Sequence, residues 1–179
     1  MTLFGKIRRH LDAGGVIAYP TESCYGLGCI PENRDAVRAL LKLKKRRKSR
    51  GLILIAGRMR EIRRYMKHLP EKEALNKFWP GPNTLLLPAS RHVPVWIRGN
   101  HEKVALRITA HRDAARLCNA LSTALVSTSA NVTGTKPAKS YRECTSRFGR
   151  QVLVVPGKIG KRRHPSTIMD FETGKIFRP

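Results

Sequence analysis

The chain has 179 residues, with 36 lysines and arginines against 12 aspartates and glutamates, giving a formal net charge of +24. Apolar residues make up 41% of it, enough for the core of one domain, and no apolar run approaches the roughly 18 residues of a membrane span. The positive charge predicts attraction to polyanions, either RNA or a phosphate-rich ligand. The N-terminus lacks the apolar segment of a signal peptide, so we expect a cytoplasmic protein.

The first predicted element is an amphipathic helix close to the N-terminus. Phe4, Ile7 and Leu11 recur at helical spacing, and we expect all three to face the core. Gly14-Gly15 is typical of a helix end, because glycine readily adopts the left-handed conformation found there.

The stretch from Val16 to Gly57 is the most informative part of the chain. It predicts a strand (16–19), a polar turn (Pro20-Thr21-Glu22), a helix and a second strand (52–55). The helix is indicated by residues at positions i, i+3, i+4 and i+7: Val37, Leu40, Leu41 and Lys44. Such a strand, turn, helix and strand can surround an anion.

Seven basic residues fall within positions 42–50, where this helix ends. Lys44 and Arg46 are two residues apart, so in a continuous helix they would point to opposite sides. They can address one ligand only if the helix ends near Lys44 and the chain becomes extended, and Arg50-Gly51 favours such an early end. The alternative is a solvated basic helix end, which suits the negative pole of the helix dipole.

The middle of the chain predicts short elements. Residues 58–69 read as a helix, 71–78 as a further turn or two, 79–82 as a rigid proline corner and 84–87 as a strand. The inward residues expected in the first of these helices are Ile62, Tyr65, Met66 and Leu69.

An irregular segment (89–103) then leads to a strand (104–108), a helix (111–120) and another strand (124–126). A hydroxyl-rich segment, Ser127-Thr128-Ser129-Ala130-Asn131, follows that last strand. Side chains at such a strand end often bind ligands in α/β sheets, although they can equally cap a following helix.

The C-terminal part predicts a helix (140–148), a strand (151–155) and a closing hairpin (166–171 with 175–178). The loop 156–165 between them is basic and glycine-containing. We expect it to be mobile without ligand and to act as a lid, the alternative being a flexible surface loop. Helices mixed with strands and a hairpin predict one α/β domain, 1–179, with a twisted mixed parallel and antiparallel sheet and flanking helices.

The four cysteines form no CxxC pair and lie at no zinc-binding spacing. We therefore expect reduced thiols and no structural metal. Cys24 lies in the polar turn region, but no histidine is near it in sequence, so a catalytic role is not favoured.

Taken together, the chain resembles the YrdC/TsaC family of threonylcarbamoyl-AMP synthases, in its short, single-domain form. The matching segments occur in family order: AYPTESCYGLG at 18–28, Lys44-x-Arg46, GLILIA at 51–56, WPGP at 79–82, Ala105-Leu106-Arg107, VSTSAN at 126–131, PST at 165–167 and the terminal FRP. The family's tetrad falls on Lys44, Arg46, Ser129 and Asn131. Some members have a histidine in the strand after the basic segment, thought to line the threonine pocket, where this chain has Leu54.

The resemblance implies a reaction in which L-threonine, bicarbonate and ATP give threonylcarbamoyl-AMP and pyrophosphate. Separate partner proteins would then transfer the threonylcarbamoyl group to an adenosine beside the tRNA anticodon. Lys44 and Arg46 would be catalytic. The residues implied for ATP and phosphate are Lys44, Arg46, Ser127, Ser129, Asn131 and Arg178. Those implied for threonine or carbamate are Thr21, Tyr25, Thr128 and Thr167. Mg²⁺ is expected on the pyrophosphate, without a protein-held metal site.

Two other functions remain open from the sequence. The charge of +24 also suits a non-enzymatic protein that binds double-stranded RNA, for example in ribosome maturation. A carbamoyladenylate-forming module like that of hydrogenase maturation proteins is the third, although such modules usually belong to much longer chains. An RNA-binding patch requires no ordered Thr21, Ser129 and Asn131, so the enzyme is the favoured function.

Overall fold

The computed structural model describes residues 2–47, 49 and 51–179. Nine strands form one sheet: β1 (Ile17–Pro20), β2 (Tyr25–Gly28), β3 (Ile53–Ala56), β4 (Asn83–Pro88), β5 (Lys103–Ile108), β6 (Leu125–Ser129), β7 (Leu153–Val154), β8 (Thr167–Asp170) and β9 (Ile176–Arg178). The helices are α1 (Leu3–Asp12), α2 (Arg34–Lys44), α3 (Met59–Ile62), α4 (Lys72–Asn76), α5 (Val95–Arg98), α6 (Arg112–Leu121) and α7 (Tyr141–Phe148), and a 3₁₀ turn spans Arg63–Tyr65.

The strand order is β7-β1-β2-β6-β3-β5-β4-β8-β9. Pairs β1–β7, β3–β5 and β4–β8 are parallel and the other neighbours are antiparallel. A mixed sheet with flanking helices confirms the predicted fold class. Among the described residues, no helix is both long enough and apolar enough to cross a membrane.

Helices α1 and α6 pack together over β1, β3 and β6. Ile7 and Leu11 are buried there beside Leu117 and Leu121 of α6. Phe4 was expected to be buried too, but it is 37% exposed. The buried stripe runs through Ile7 and Leu11, four residues apart, and the first turn of the helix extends beyond it.

Helix α2 begins at an Asn33 cap, whose side chain accepts a hydrogen bond from Ala36 N at 2.9 Å. It ends at Lys44, and Lys45 takes a left-handed conformation with φ 50°. The prediction that the helix ends near Lys44 is therefore confirmed. Arg50, which favoured that end, lies outside the described residues.

Two sequence-based boundaries were wrong. The helix expected over 58–69 leaves helical geometry after Tyr65, because Met66 bridges Ala89 and Lys67 N donates to Pro88 O, which ties this segment to the end of β4. Leu69 is consequently 48% exposed instead of buried. The segment 89–103, expected to be irregular, contains the short helix α5.

Strand β6 also extends further than predicted, since Ser127, Thr128 and Ser129 belong to it. Ser129 pairs with Gly26 of β2, and Ser127 pairs with Ile53 of β3. The main chain that carries these hydroxyl groups is thus paired with a neighbouring strand on each side of β6. All four cysteines are buried and free.

Candidate active site

A cavity of about 800 Å³ lies against one face of the sheet. Side chains from β3, β4, β5, β6, β8 and β9 contribute to its wall. Six of the residues predicted to form the site line it together: Thr21, Arg46, Ser127, Thr128, Ser129 and Arg178. Thr21 and Arg178, which are 157 residues apart in sequence, thus meet at one cavity.

Strand alternation decides which residues reach the cavity. In β5, Lys103, Ala105 and Arg107 line it, whereas the residues between them face the core. In β3, Ile53 lines the cavity and Leu54 is fully buried in the core. Leu54, which stands where some family members have a histidine, therefore points to the other face of the strand and does not line the cavity.

The hydroxyl wall of the cavity is shaped by the turn after β1. Thr21 is 7% exposed, and its Oγ1 donates to Cys24 O at 2.8 Å. A Cβ atom at Gly26 would lie 3.3 Å from Thr21 Cγ2 and 3.6 Å from Ser127 Oγ, so this glycine lets the two side chains approach each other. Cys24 also lines the wall, but burial raises the pKa of its thiol, which disfavours the nucleophilic thiolate.

Arg46 and Arg178 form the cationic end of the cavity with Arg107. Arg178 Nε donates to Ser166 O at 2.9 Å and its Nη2 donates to Ser166 Oγ at 3.0 Å. Burial lowers the pKa of Arg178, and the neighbouring charges of Arg107 and Arg46 lower it further. Three guanidinium groups gathered at one end of the cavity make an electrostatic site for an anion.

Arg107 and Glu22 were missed as site residues. Glu22 forms an ion pair with Arg107 Nη2, and its Oε1 accepts a hydrogen bond from Thr109 Oγ1 at 2.7 Å. Burial alone would raise the pKa of Glu22, but Arg107 and the hydrogen bonds outweigh it and lower that pKa. The signal in the sequence was a lone arginine in the otherwise apolar strand VALRI, which indicates a buried charge with a partner.

Lys44 lies behind the cavity wall and is 3% exposed. Its ammonium group donates to Ser129 O at 2.5 Å, Asn131 O at 2.9 Å and Asn131 Oδ1 at 3.1 Å. Burial lowers the pKa of Lys44 to about 8, and the charge of Arg46 acts in the same direction. The two cations of the predicted pair therefore differ: Arg46 faces the cavity, and Lys44 supports the segment that follows β6.

Tyr25 and Thr167, predicted to contact threonine or carbamate, are outside the cavity lining. Tyr25 is fully buried, its hydroxyl donates to Gly157 O at 2.8 Å, and burial raises its pKa to about 12. Thr167 Oγ1 accepts a hydrogen bond from Arg162 Nη2 at 3.3 Å. Both side chains therefore hold the loop 156–165 in place.

The loop 156–165 is attached to the turn after β1. Gly160 N donates to Thr21 O at 2.9 Å, and Arg162 N donates to Glu22 O at 3.1 Å. A Cβ atom at Gly160 would lie 2.7 Å from Glu22 O, so only glycine allows this approach. Arg163 lines the cavity, so one of the loop's cations faces it. The lid role stays a prediction.

The fold and the cavity define an α/β protein whose cavity combines a cationic end with a wall of hydroxyl side chains. A family model, Sua5_yciO_yrdC, described as "Telomere recombination", matches residues 9–179. The chain belongs to this Sua5/YciO/YrdC family.

Several relatives are named threonylcarbamoyl-AMP synthase. The protein from Chromobacterium violaceum is 52% identical over 175 residues, covering 97% of this chain and 91% of its own. That from Thiobacillus denitrificans is 51% identical over 174 residues, covering 96% and 93%. Among solved structures, P. abyssi Sua5 (H234A/Y235A) has a TM-score of 0.91 at 29% identity. The match covers 98% of this chain and 56% of the Sua5 chain. The P. abyssi Sua5 complex with L-threonine has a TM-score of 0.86 at 29% identity, covering 93% of this chain and 50% of that one.

Proposed function

We propose that the protein is an L-threonylcarbamoyladenylate synthase, which makes threonylcarbamoyl-AMP and pyrophosphate from L-threonine, bicarbonate and ATP. One observation carries this proposal: a single cavity joins the hydroxyl wall of Thr21 and Ser127–Ser129 to the arginines 46, 107 and 178. The first part suits an amino acid or carbamate, and the second suits a triphosphate. The identity of 52% to a protein named for this activity supports the assignment.

The chemistry requires no protein nucleophile. Bicarbonate takes up a proton and loses water to give CO₂, and the amine of threonine adds this CO₂ and releases a proton to give a carbamate. The anionic oxygen of the carbamate attacks the α-phosphorus of ATP. The new P–O bond forms as the bond to the β-phosphate oxygen breaks, and pyrophosphate leaves with that electron pair. The protein therefore has to align the two substrates and neutralise charge, which accounts for much of the rate in such transfers.

The cavity residues supply these needs. Arg46 and Arg178 would bind phosphate oxygens as planar forks, and Ser127 and Ser129 would bind phosphate or carbamate oxygens and N–H groups. Thr21 and Thr128 would contact the threonine end. Arg107, paired with Glu22, lies at the cationic end with Arg46 and Arg178 and would add to the positive charge facing the phosphates.

Magnesium is proposed to arrive with the ATP phosphates. Among the described residues, no three His, Cys, Asp or Glu side chains form a group that could hold a metal ion. Two carboxylates near the cavity are already engaged: Glu22 by Arg107 and Thr109, and Asp170 by Lys103. We therefore propose that Mg²⁺ is bound by the substrate phosphates.

The deciding experiment is release of pyrophosphate from ATP by the purified chain. We expect release that depends on both L-threonine and bicarbonate, with formation of threonylcarbamoyl-AMP. Release in the absence of threonine, or none at all, contradicts the proposed function.

RNA binding is a second proposed property, favoured by the surface of α2 beside the cavity. Arg38, Lys42, Lys45 and Arg47 line a shallow groove there. A tRNA or a double-stranded RNA would be the partner, and proteins that transfer the threonylcarbamoyl group would act downstream. The phosphate charges of the RNA backbone would account for such binding, so we expect little sequence preference.

A further inference from the structure

We propose that Lys44 is a positioning residue, which shapes the segment 129–133 at the end of β6 instead of binding a substrate phosphate itself. This inference rests on the proposed function, because it assigns a role within the same cavity. It replaces the expectation that Lys44 and Arg46 contact one phosphate group side by side.

The first observation is the ammonium group of Lys44. A lysine ammonium has three N–H donors. The three acceptors within reach are Ser129 O, Asn131 O and Asn131 Oδ1, at 2.5, 2.9 and 3.1 Å. Each donor thus has an acceptor from the protein, and a phosphate oxygen would have to displace one of them.

The main chain of Lys44 binds the same segment. As the last residue of α2, Lys44 has a carbonyl oxygen without an intrahelical partner. That oxygen accepts hydrogen bonds from Thr133 N at 2.9 Å and Thr133 Oγ1 at 2.7 Å. One residue therefore joins the end of α2 to both ends of the segment 129–133.

Asn131 transmits this arrangement to the cavity. Its Oδ1 accepts from Lys44 and also from Ser129 Oγ at 2.6 Å, while its Nδ2 donates to Thr135 O at 2.6 Å. The amide orientation is thereby fixed from three directions. Because Ser129 gives its proton to Asn131, its oxygen faces the cavity as a hydrogen-bond acceptor. The substrate group that suits it is a donor, such as the N–H of the carbamate.

The main test is a double-mutant cycle on kcat/KM with Lys44→Met, Asn131→Ala and the double variant. If Lys44 acts through the segment 129–133, Asn131→Ala costs about 30-fold in the parent but no more than about threefold in the Lys44→Met background. Effects that multiply would show that the two residues act separately and would overturn the proposal. Lys72→Met is the matched control, because it removes the same charge from an exposed position in α4 that lines neither the cavity nor the groove of α2.

Lys44→Met removes three part-buried hydrogen bonds, which can destabilise the fold, although Asn131 Oδ1 keeps the bond from Ser129 Oγ and Ser129 O keeps the bond from Asn131 N. Lys44→Arg is the second variant, since arginine keeps the charge and is itself a good phosphate ligand. Its planar fork cannot reproduce three converging hydrogen bonds, so we expect kcat/KM per folded protein to fall at least about 30-fold. Retained turnover in Lys44→Arg would support direct phosphate contact and refute a positioning role.

The parent enzyme separates this inference from the proposed function. A parent that releases no pyrophosphate contradicts the function, and the cycle is then measured on the dissociation constant for ATP by calorimetry. Coupled effects on ATP binding would still support the positioning role, and additive effects would overturn it.

Discussion

Arg46 is the residue for which direct contact with the substrate is most clearly expected. It follows the end of α2 and lines the cavity, where Arg107 and Arg178 also lie. Arg46→Ala should lower kcat/KM by 10²–10³-fold, about 2.7–4 kcal/mol of transition-state stabilisation, while thermal unfolding stays near that of the parent. Arg47→Ala, one residue away and exposed, is the control and should change turnover little. Equal activity of both variants would remove Arg46 from the phosphate site.

The pKa of Lys44 predicts an alkaline limit to activity. That pKa is lowered to about 8, mainly by burial and further by the positive charge of Arg46, while Cys24 acts in the opposite direction. Because deprotonation removes one of three donors, turnover should fall as the pH rises through about 8. The folded-state pKa is below the ordinary 10.5, so between about 8 and 10.5 the unfolded state binds more protons. Lys44 therefore makes the free energy of unfolding rise with pH in this window.

Between about pH 8 and 10.5, titration of Lys44 should therefore lower turnover while it raises the free energy of unfolding. The measurement is a pH profile of kcat/KM for the parent and for Lys44→Met, with unfolding followed at the same pH values. An alkaline limb of equal size in both proteins would mean that another group causes it.

At the scale of elements, the loop 156–165 links the cavity to the turn after β1. Main-chain hydrogen bonds join Gly160 to Thr21 and Arg162 to Glu22, and Arg163 lines the cavity. When ATP and threonine bind, the loop's cations gain an anionic partner, so amide hydrogen exchange across 156–165 should slow. Amides of α1, which contributes no residue to the cavity wall, provide the internal reference. Unchanged exchange at saturating substrate would leave a surface loop with no lid function.

Gly160→Ala tests the attachment of that loop. The added Cβ would lie 2.7 Å from Glu22 O, a main-chain atom, so the loop has to shift. We expect faster exchange at 156–165, and a loss of turnover of about tenfold or more if the lid excludes water from the product. Gly134→Ala, in a loop where nothing lies within 4 Å of an added Cβ, is the control for a glycine substitution, although its φ of 89° adds local strain. Normal turnover with a displaced loop would contradict the lid.

The elements differ in how well the sequence predicted them, for physical reasons. Helix α2 was predictable because its apolar residues keep one period up to Lys44. The end of the 58–69 helix was not, since Met66 and Lys67 pair with β4, a contact distant in sequence. At the site, family segments predicted the cavity-lining Thr21 and Arg46. Neither pattern nor spacing indicated that Lys44 faces three protein acceptors, because that depends on where the chain turns after β6.

At the scale of the whole molecule, the net charge of +24 exceeds what a cavity for one nucleotide requires. The cations are spread along the chain, and those on α2 and just after it border the cavity through Arg46, which belongs to both surfaces. A long polyanion could therefore bind next to the site of adenylate formation. Electrostatic attraction of this kind accelerates association and weakens with salt.

We therefore expect salt-dependent binding of tRNA or duplex RNA with little sequence preference. The measurement is a titration at several salt concentrations, in which the logarithm of the association constant falls by about 0.9 per phosphate contact per logarithmic unit of salt. The triple variant Lys42→Gln, Lys45→Gln and Arg47→Gln should reduce that slope by about 2 to 3. Lys67→Gln, Lys72→Gln and Lys77→Gln, three exposed lysines elsewhere, remove the same charge and should reduce it less. An affinity that does not change with salt would exclude electrostatic RNA binding, and equal slopes for the two triple variants would exclude the surface of α2 as its location.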